Sequence, residues 1–344
     1  MTDAMNGISE SKDSMYADSV CLLTGGTGSV GLELATALLE HKPRQIRLFS
    51  NDENGLFEAM SIFAKHPEVA YRLGDVRDAR TVESVMSGCD FVFHAAALKH
   101  VDFCETNPYE AITTNIVGTQ NVIDHAIKYS VRKLVFISTD KAVNPASTMG
   151  ATKLLGEKLT IRASTVTDRP IFSVVRFGNV VGSRGSVVLI FERQVRSGGE
   201  ITVTDPNMTR FIMLPRDSAR LVLHAARFPK SGKVLVLRME AARIGDLANA
   251  SREFFGATFH RDPSTIKITQ IGAGPGEKMH EELMTEAEAS TAIETDEYYV
   301  VEPETERLPL SKSSNKRPKK YTSNSVDLLS KDEIVALLSQ LYGR

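Results

Sequence analysis

Six short runs rich in β-branched and aliphatic residues recur through the first half of the chain: SVCLLT, QIRLF, VAYRL, DFVFHAA, KLVFIS and FSVVRF. Longer amphipathic stretches near 29–40, 78–87, 107–129 and 147–163 separate them. Strands that are apolar throughout are buried on both faces, and parallel neighbours must be joined by crossovers of the kind these stretches supply. The pattern predicts an α/β fold, a doubly wound, Rossmann-like parallel sheet over residues 18–180. Beyond about residue 180 the regularity weakens into glycine-containing loops such as GSRGS, RSGGE and GAGPGEK. Residues 181–302 are expected to form a smaller α/β lobe for the substrate, with room for a strand to cross back into the sheet. Residues 1–17, polar and acidic, are expected to be flexible. Residues 303–344 are expected to be an extension ending in a helix, its stretch 303–325 on the surface.

With 41 basic and 43 acidic residues the formal net charge is -2, so no global field favours nucleic acid or an anionic membrane. The KRPKK run is read as a solvated tail, not a nucleic-acid patch. Three unevenly spaced cysteines, Cys21, Cys89 and Cys104, argue against a disulfide framework or a zinc knuckle, and no His/Cys/Asp cluster has metal-ligand spacing. No segment approaches the ~18 apolar residues of a membrane span, and the chain is expected in the cytoplasm.

The stretch CLLTGGTGSVGLELATALL sets Gly25, Thr27, Gly28, Ser29, Val30 and Gly31 between a strand and a helix. Glycine permits the tight turn and the close approach of backbone to a pyrophosphate, while the helix amides supply donors. The position after the second strand, where an acidic residue usually binds the ribose of NAD, holds Ser50 and Asn51. Neither an acid to repel a 2′-phosphate nor an arginine to bind one is apparent there, which tilts the choice between NADP and NAD toward NADP. Asp75, followed by Val76, is placed to hydrogen-bond an adenine amine. The small side chains of Ala95, Ala96 and Ala97 suit a cofactor wall, or a plain core strand.

Taken in order, TGGTGSVG, GDVRD, HAAALKHV, STDKAVNP with MGATK, GNVVGSRGS, DPNMTRF and GPGEKMHEEL make the chain resemble the extended short-chain dehydrogenase/reductase superfamily from about residue 18 to 302. More narrowly it is similar to UDP-N-acetylglucosamine 4,6-dehydratases and capsule-type polysaccharide biosynthesis proteins. The resemblance implies a tightly bound NADP or NAD regenerated in each cycle, a UDP-sugar substrate and a 4-keto-6-deoxy product. A homodimer or higher homo-oligomer is expected. Two positions depart from the usual pattern: Met149 stands in place of the superfamily tyrosine, and Gly274 where many relatives have arginine.

Ligands in open α/β sheets lie beyond the carboxyl ends of the strands, so Ser138 to Lys141 fall where substrate and nicotinamide should meet. Asp140 and Lys141 are titratable groups of opposite sign, and charge or desolvation can divide acid from base roles between them. By resemblance, Asp140 is the acid at the sugar C6 oxygen and Lys141 the base at C5, while Lys153, four residues after Met149, contacts the nicotinamide ribose. Met149 cannot take the C4 hydroxyl proton that tyrosine takes elsewhere. Thr139 and Asp140 are the favoured route, with Lys153 or an ordered water as alternatives, and Met149 fills space. Asn179, Arg184 and Arg210 are candidates to hold the diphosphate, since arginine presents a fork suited to phosphate oxygens. Thr202 is placed near the uracil. Lys99 and His100 border the sugar, although His100 suits a hydrogen-bonded structural role equally. The alternatives to a dehydratase are a UDP-HexNAc epimerase and a catalytically silent NAD(P)-sensing protein.

Overall fold

The computed structural model describes residues 15–274, 276–295, 298–302 and 321–343. The first half alternates strand and helix: β1 (Val20–Thr24), α1 (Ser29–Leu39), β2 (Gln45–Ser50), α2 (Glu53–Ile62), β3 (Val69–Leu73), α3 (Ala79–Met86) and β4 (Phe91–His94). Next come α4 (Val101–Thr106), α5 (Pro108–Ile112), α6 (Gly118–Lys128), β5 (Lys133–Ile137), α7 (Thr148–Ala163) and β6 (Ile171–Arg176). The remainder adds β7 (Asn179–Val180), α8 (Val187–Arg196), β8 (Ile201–Val203), β9 (Thr209–Met213), α9 (Pro215–Arg227), β10 (Lys233–Leu237), β11 (Ala241–Arg243) and α10 (Ile244–Thr258). It ends with β12 (Ile268–Gln270), β13 (Glu282–Met284), α11 (Glu286–Ala289), β14 (Ile293–Glu294), β15 (Tyr298–Val301), β16 (Tyr321–Thr322) and α12 (Lys331–Leu341).

Among the described residues, nine strands form one sheet in the order β14-β15-β10-β6-β5-β4-β1-β2-β3. Strands β1 to β6 and β10 run parallel, while β15 and β14 close the far edge antiparallel. The strand order reverses between β1 and β4, which opens the crevice where such sheets bind ligands. Every residue of β1 and of β4 is buried, as expected of central strands covered by helices on both faces.

The second half is not a separate block. Strands β10, β14 and β15 lie in the main sheet, whereas α8, α10, α12 and β8 gather a second core around Phe191, Leu247, Phe255 and Leu338. The expected terminal helix is α12, which packs on α10. The expected flexible segment 1–17 needs correction at its end. Tyr16 is fully buried, its ring 4.9 Å from Phe91 and its hydroxyl donating to Leu223 O, because an aromatic with a satisfied hydroxyl gains from full burial. Residues 1–14 and the KRPKK run lie outside the described residues. All three cysteines are buried and free.

Candidate active site

A cleft of about 700 Å³ runs across the carboxyl ends of β1, β2, β4 and β5 and under the loop that follows β7. Its wall includes all the residues expected at the cofactor, together with Lys99, Thr139, Lys141, Met149, Lys153, Asn179, Arg184 and Arg210.

At its cofactor end the turn after β1 is built on glycine. Gly25 sits at φ +66°, and a Cβ there would lie 2.8 Å from the Ala96 amide nitrogen, so the first and fourth strands close on one another only without a side chain. Helix α1 starts from Gly28 with no side-chain cap, whereas α2, α3 and α7 are capped by Asp52, Asp78 and Ser147. The first amides of α1 therefore face the cleft without a side-chain acceptor, a ready anion site. At the end of β2, Thr27 and Ser50 share a hydrogen bond of 2.9 Å, and Asn51 donates to Asp75. Arg77 grips Asp75 through backbone and guanidinium and, more than any other neighbour, holds its carboxyl below the usual carboxylate range. Asp52, which the sequence reading passed over, adds a second carboxylate to this wall.

The other end of the cleft is organised by α7. A Cβ on Gly150 would collide with the Lys141 carbonyl oxygen, so the helix can lie against the turn after β5 only with glycine there. That contact brings Met149 and Lys153 beside Thr139–Lys141. Met149 is buried against Cys104 and Ala111. Lys153 donates to Ile137 O at 2.6 Å and stands 4.2 Å above the Phe136 ring. Burial lowers its pKa to about 8, with Glu157 opposing the shift.

Thr139 donates to Asp140 Oδ1 at 2.7 Å. Lys141 Nζ reaches Asp140 Oδ1 at 3.1 Å, Asn179 Oδ1 at 3.4 Å and Glu281 Oε1 at 3.5 Å. Arg210 Nε lies 3.7 Å from the same Glu281 oxygen. Burial works against the Lys141 charge, but Asp140 and Glu281 outweigh it and raise the pKa above the ordinary lysine value. Burial raises the Glu281 carboxyl, with Asp140 adding to it and Lys141 and Arg210 opposing. Asp140 and Glu281 are each almost fully buried, and Asp140 Oδ2, Glu281 Oε2 and Ser138 Oγ have no hydrogen-bond partner among the described residues.

Three expected ligands take more specific positions. Arg184 leans across the mouth of the cofactor end, pairing with Asp52 and Glu58, while its amide donates to Ser29 and its carbonyl accepts from Lys99. Arg210 is buried, donating to Thr209 O and Met279 O. Thr202 does not line the cleft. Its neighbours Ile201 and Val203 face the second core, so strand alternation turns Thr202 away to accept a hydrogen bond from Gln194. His100 is exposed beside Phe103 and Gly185, not buried.

Sequence reasoning missed Glu281, although it lies in the GPGEKMHEEL motif, and Asn115. The latter sits in a π-helical turn, Thr113–Val117, where its amide bonds both main-chain groups of Leu98 and the Thr152 hydroxyl. A π-turn displaces one residue from the helical ladder and commonly marks a functional site. Here it ties the loop after β4 to α7. Among the described residues no group of three or more His, Cys, Asp or Glu could hold a metal ion, and no helix is long and apolar enough to cross a membrane.

Residues 21–303 match the model of a family described as polysaccharide biosynthesis protein. The uncharacterized membrane protein MJ1061 of Methanocaldococcus jannaschii is 42% identical over 95% of this chain and 97% of its own. A UDP-glucose 4-epimerase of Rickettsia canadensis is 39% identical over 95% of this chain and 97% of its own. Among solved structures, Pen from Bacillus thuringiensis superposes with a TM-score of 0.88 at 38% identity, covering 95% of this chain and 99% of Pen. DesIV of Streptomyces venezuelae, a dTDP-glucose 4,6-dehydratase, shares the fold, with a TM-score of 0.68 at 18% identity over 76% of this chain and 86% of its own. The glycine turn, the reversed sheet and these matches agree: the chain belongs to the polysaccharide biosynthesis protein family of the extended short-chain dehydrogenase/reductases.

Proposed function

We propose that the protein is a nucleotide-sugar 4,6-dehydratase converting UDP-N-acetylglucosamine, or a close UDP-HexNAc, to its 4-keto-6-deoxy product by way of C4 oxidation and loss of water across C5 and C6. The observation that carries the reading is the Asp140–Lys141 pair beyond β5, with the Thr139 hydroxyl already donating to Asp140. Elimination needs an acid and a base, and the pair supplies one of each: Lys141 lines the cleft, and Asp140 lies buried behind the Thr139 hydroxyl that does.

The cleft fits a dinucleotide. Gly25 leaves the backbone open to a pyrophosphate, the uncapped start of α1 supplies amides, and Lys153 and Ser138 offer polar groups at the nicotinamide end. When bound, the nicotinamide would accept the C4 hydride and return it at C6. Asp52 and Asp75 line the adenosine end, while Arg77 and Arg184 are each engaged with carboxylates, so the tilt toward NADP finds no support. Two carboxylates there favour NAD by repelling a 2′-phosphate.

The residues then divide the proton work. Thr139 passes the C4 hydroxyl proton to Asp140, and Asp140 later returns it through the Thr139 hydroxyl to the C6 oxygen, which leaves as water. Lys141 removes the C5 proton, made acidic by the neighbouring ketone, and restores it afterwards. Met149, pinned against Cys104 and Ala111, shapes the wall. Asn179 and Arg210 line the same cleft and are candidates to orient the sugar diphosphate.

A second reading, a 4-epimerase, is favoured by the Rickettsia relatives that carry that name at 38–39% identity. Incubation with UDP-N-acetylglucosamine followed by mass spectrometry separates the readings. Loss of one water supports the dehydratase, an isomer of unchanged mass the epimerase, and no change a silent sensor.

A further inference from the structure

Lys141 presents a difficulty for its own proposed role. A base must be neutral, yet two carboxylates flank its ammonium, 3.1 Å away on Asp140 and 3.5 Å away on Glu281. In the reading above, Asp140 takes up the C4 hydroxyl proton and so cannot also take one from Lys141. Glu281 is the other carboxylate within reach.

Glu281 does not line the cleft. It stands behind Lys141, almost fully buried, with Oε1 toward the ammonium and Oε2 without a hydrogen-bond partner. Its backbone is fixed by the residue that follows β16: the Glu281 amide donates to Ser323 Oγ, the Ser323 amide donates back to Glu281 O, and Ser323 Oγ also bonds Thr209. The groups facing it are Asp140 and Lys141 from the turn after β5, Arg210 from β9 and Lys278 from its own segment. Lys278 Nζ itself turns to Val143 O, and His280 turns to Thr209 Oγ1, while the segment after β16 brings Ser323 and no charge. A buried carboxyl with one unsatisfied oxygen is poorly suited to stay ionised, which burial has already made harder.

Resting on the dehydratase reading, we infer that Glu281 is a positioning residue that arms Lys141 by accepting its proton and returning it when the cycle ends. One Nζ–H bond of Lys141 breaks and one O–H bond forms on Glu281 Oε1, so a cation and an anion become a neutral amine and a neutral acid. No charge leaves the buried cluster. Glu281 never touches the sugar; it sets the protonation state of the residue that does.

Two measurements on the full-length protein test this. In the first, the pH dependence of kcat is compared between wild type and Glu281→Gln with UDP-N-acetylglucosamine. Without an internal acceptor Lys141 must lose its proton to solvent, so the variant is impaired at neutral pH and its kcat rises about tenfold per pH unit toward a plateau in alkali, with KM unchanged. Wild type lacks that limb. Parallel profiles overturn the inference. Absence of any dehydrated product from wild type would instead sink the dehydratase reading itself.

The second uses Glu281→Asp, which keeps a carboxylate as acceptor behind Lys141. Its kcat profile should lack most of the alkaline limb of Glu281→Gln, and a Glu281→Asp profile with the full limb overturns the inference. If Glu281→Gln does not fold, wild type decides: a tenfold-per-unit alkaline limb in wild type itself shows that Lys141 loses its proton to solvent and overturns the inference, and its absence supports it.

Discussion

The Thr139 hydroxyl donates to Asp140 Oδ1 at 2.7 Å, and Asp140 is completely buried beneath it. A buried carboxylate reached through an exposed-side hydroxyl is a route by which a proton can leave the cleft without a tyrosine. Met149→Leu, similar in volume and equally unable to carry a proton, should keep most activity. Thr139→Val keeps the shape but removes the donor, and should slow the first hydride transfer, read as reduced-nicotinamide absorbance in a single turnover. Both variants are checked for folding, since the valine leaves Asp140 Oδ1 short of one donor. Loss of hydride transfer in Met149→Leu with normal transfer in Thr139→Val would show that the relay is wrong.

Asp140→Asn and Lys141→Ala should each reduce dehydration about a hundredfold or more, the usual effect of losing a positioned acid or base. Cofactor content, read from the absorbance of the purified protein, should be near that of wild type. Turnover close to normal in either variant removes that residue from its role.

Arg176 lies under the site in a buried fork, 2.7 Å from Glu157 and 2.9 Å from Glu288. Burial alone would lower its pKa, but the two carboxylates outweigh that and hold it charged. Arg176→Ala leaves two carboxylates without their cation and should cost about 3–5 kcal/mol in urea unfolding. A loss under about 1 kcal/mol, the scale of a surface pair, contradicts this.

His94 is buried between Thr24 at 2.6 Å and Thr119 at 2.9 Å. Burial first, then the nearby Lys153, depress its pKa to about 3. The folded state therefore keeps the ring neutral while the unfolded chain protonates near its ordinary ~6.5. Its contribution is fully present above about pH 6.5 and is lost at up to about 1.4 kcal/mol per pH unit as the pH falls toward 3. His94→Gln should be less stable at pH 7 yet show a shallower decline between pH 6.5 and 5 in denaturant titrations. Parallel slopes would remove His94 as the source.

The sequence by itself determined the sheet, the glycine turn and the Thr139–Lys141 end of the cleft. Each is local: continuous apolar runs suit a covered parallel sheet, and Gly25 turns the chain into α1 a few residues before the helix begins, with Gly31 in its first turn. The return of β10 and β15 to the main sheet depends on β10 pairing with β6 and β15 with β10 across long stretches of chain, which no window of sequence displays. Tyr16 looked like part of a polar tail because its pocket comes from Phe91 and Leu223, remote in the chain. The same holds for the charge on Lys141. Asp140 beside it was legible, but Glu281 arrives from 140 residues away, held by Ser323, and only the tertiary structure brings those groups into one low-dielectric cluster where the two carboxylates raise the pKa of Lys141.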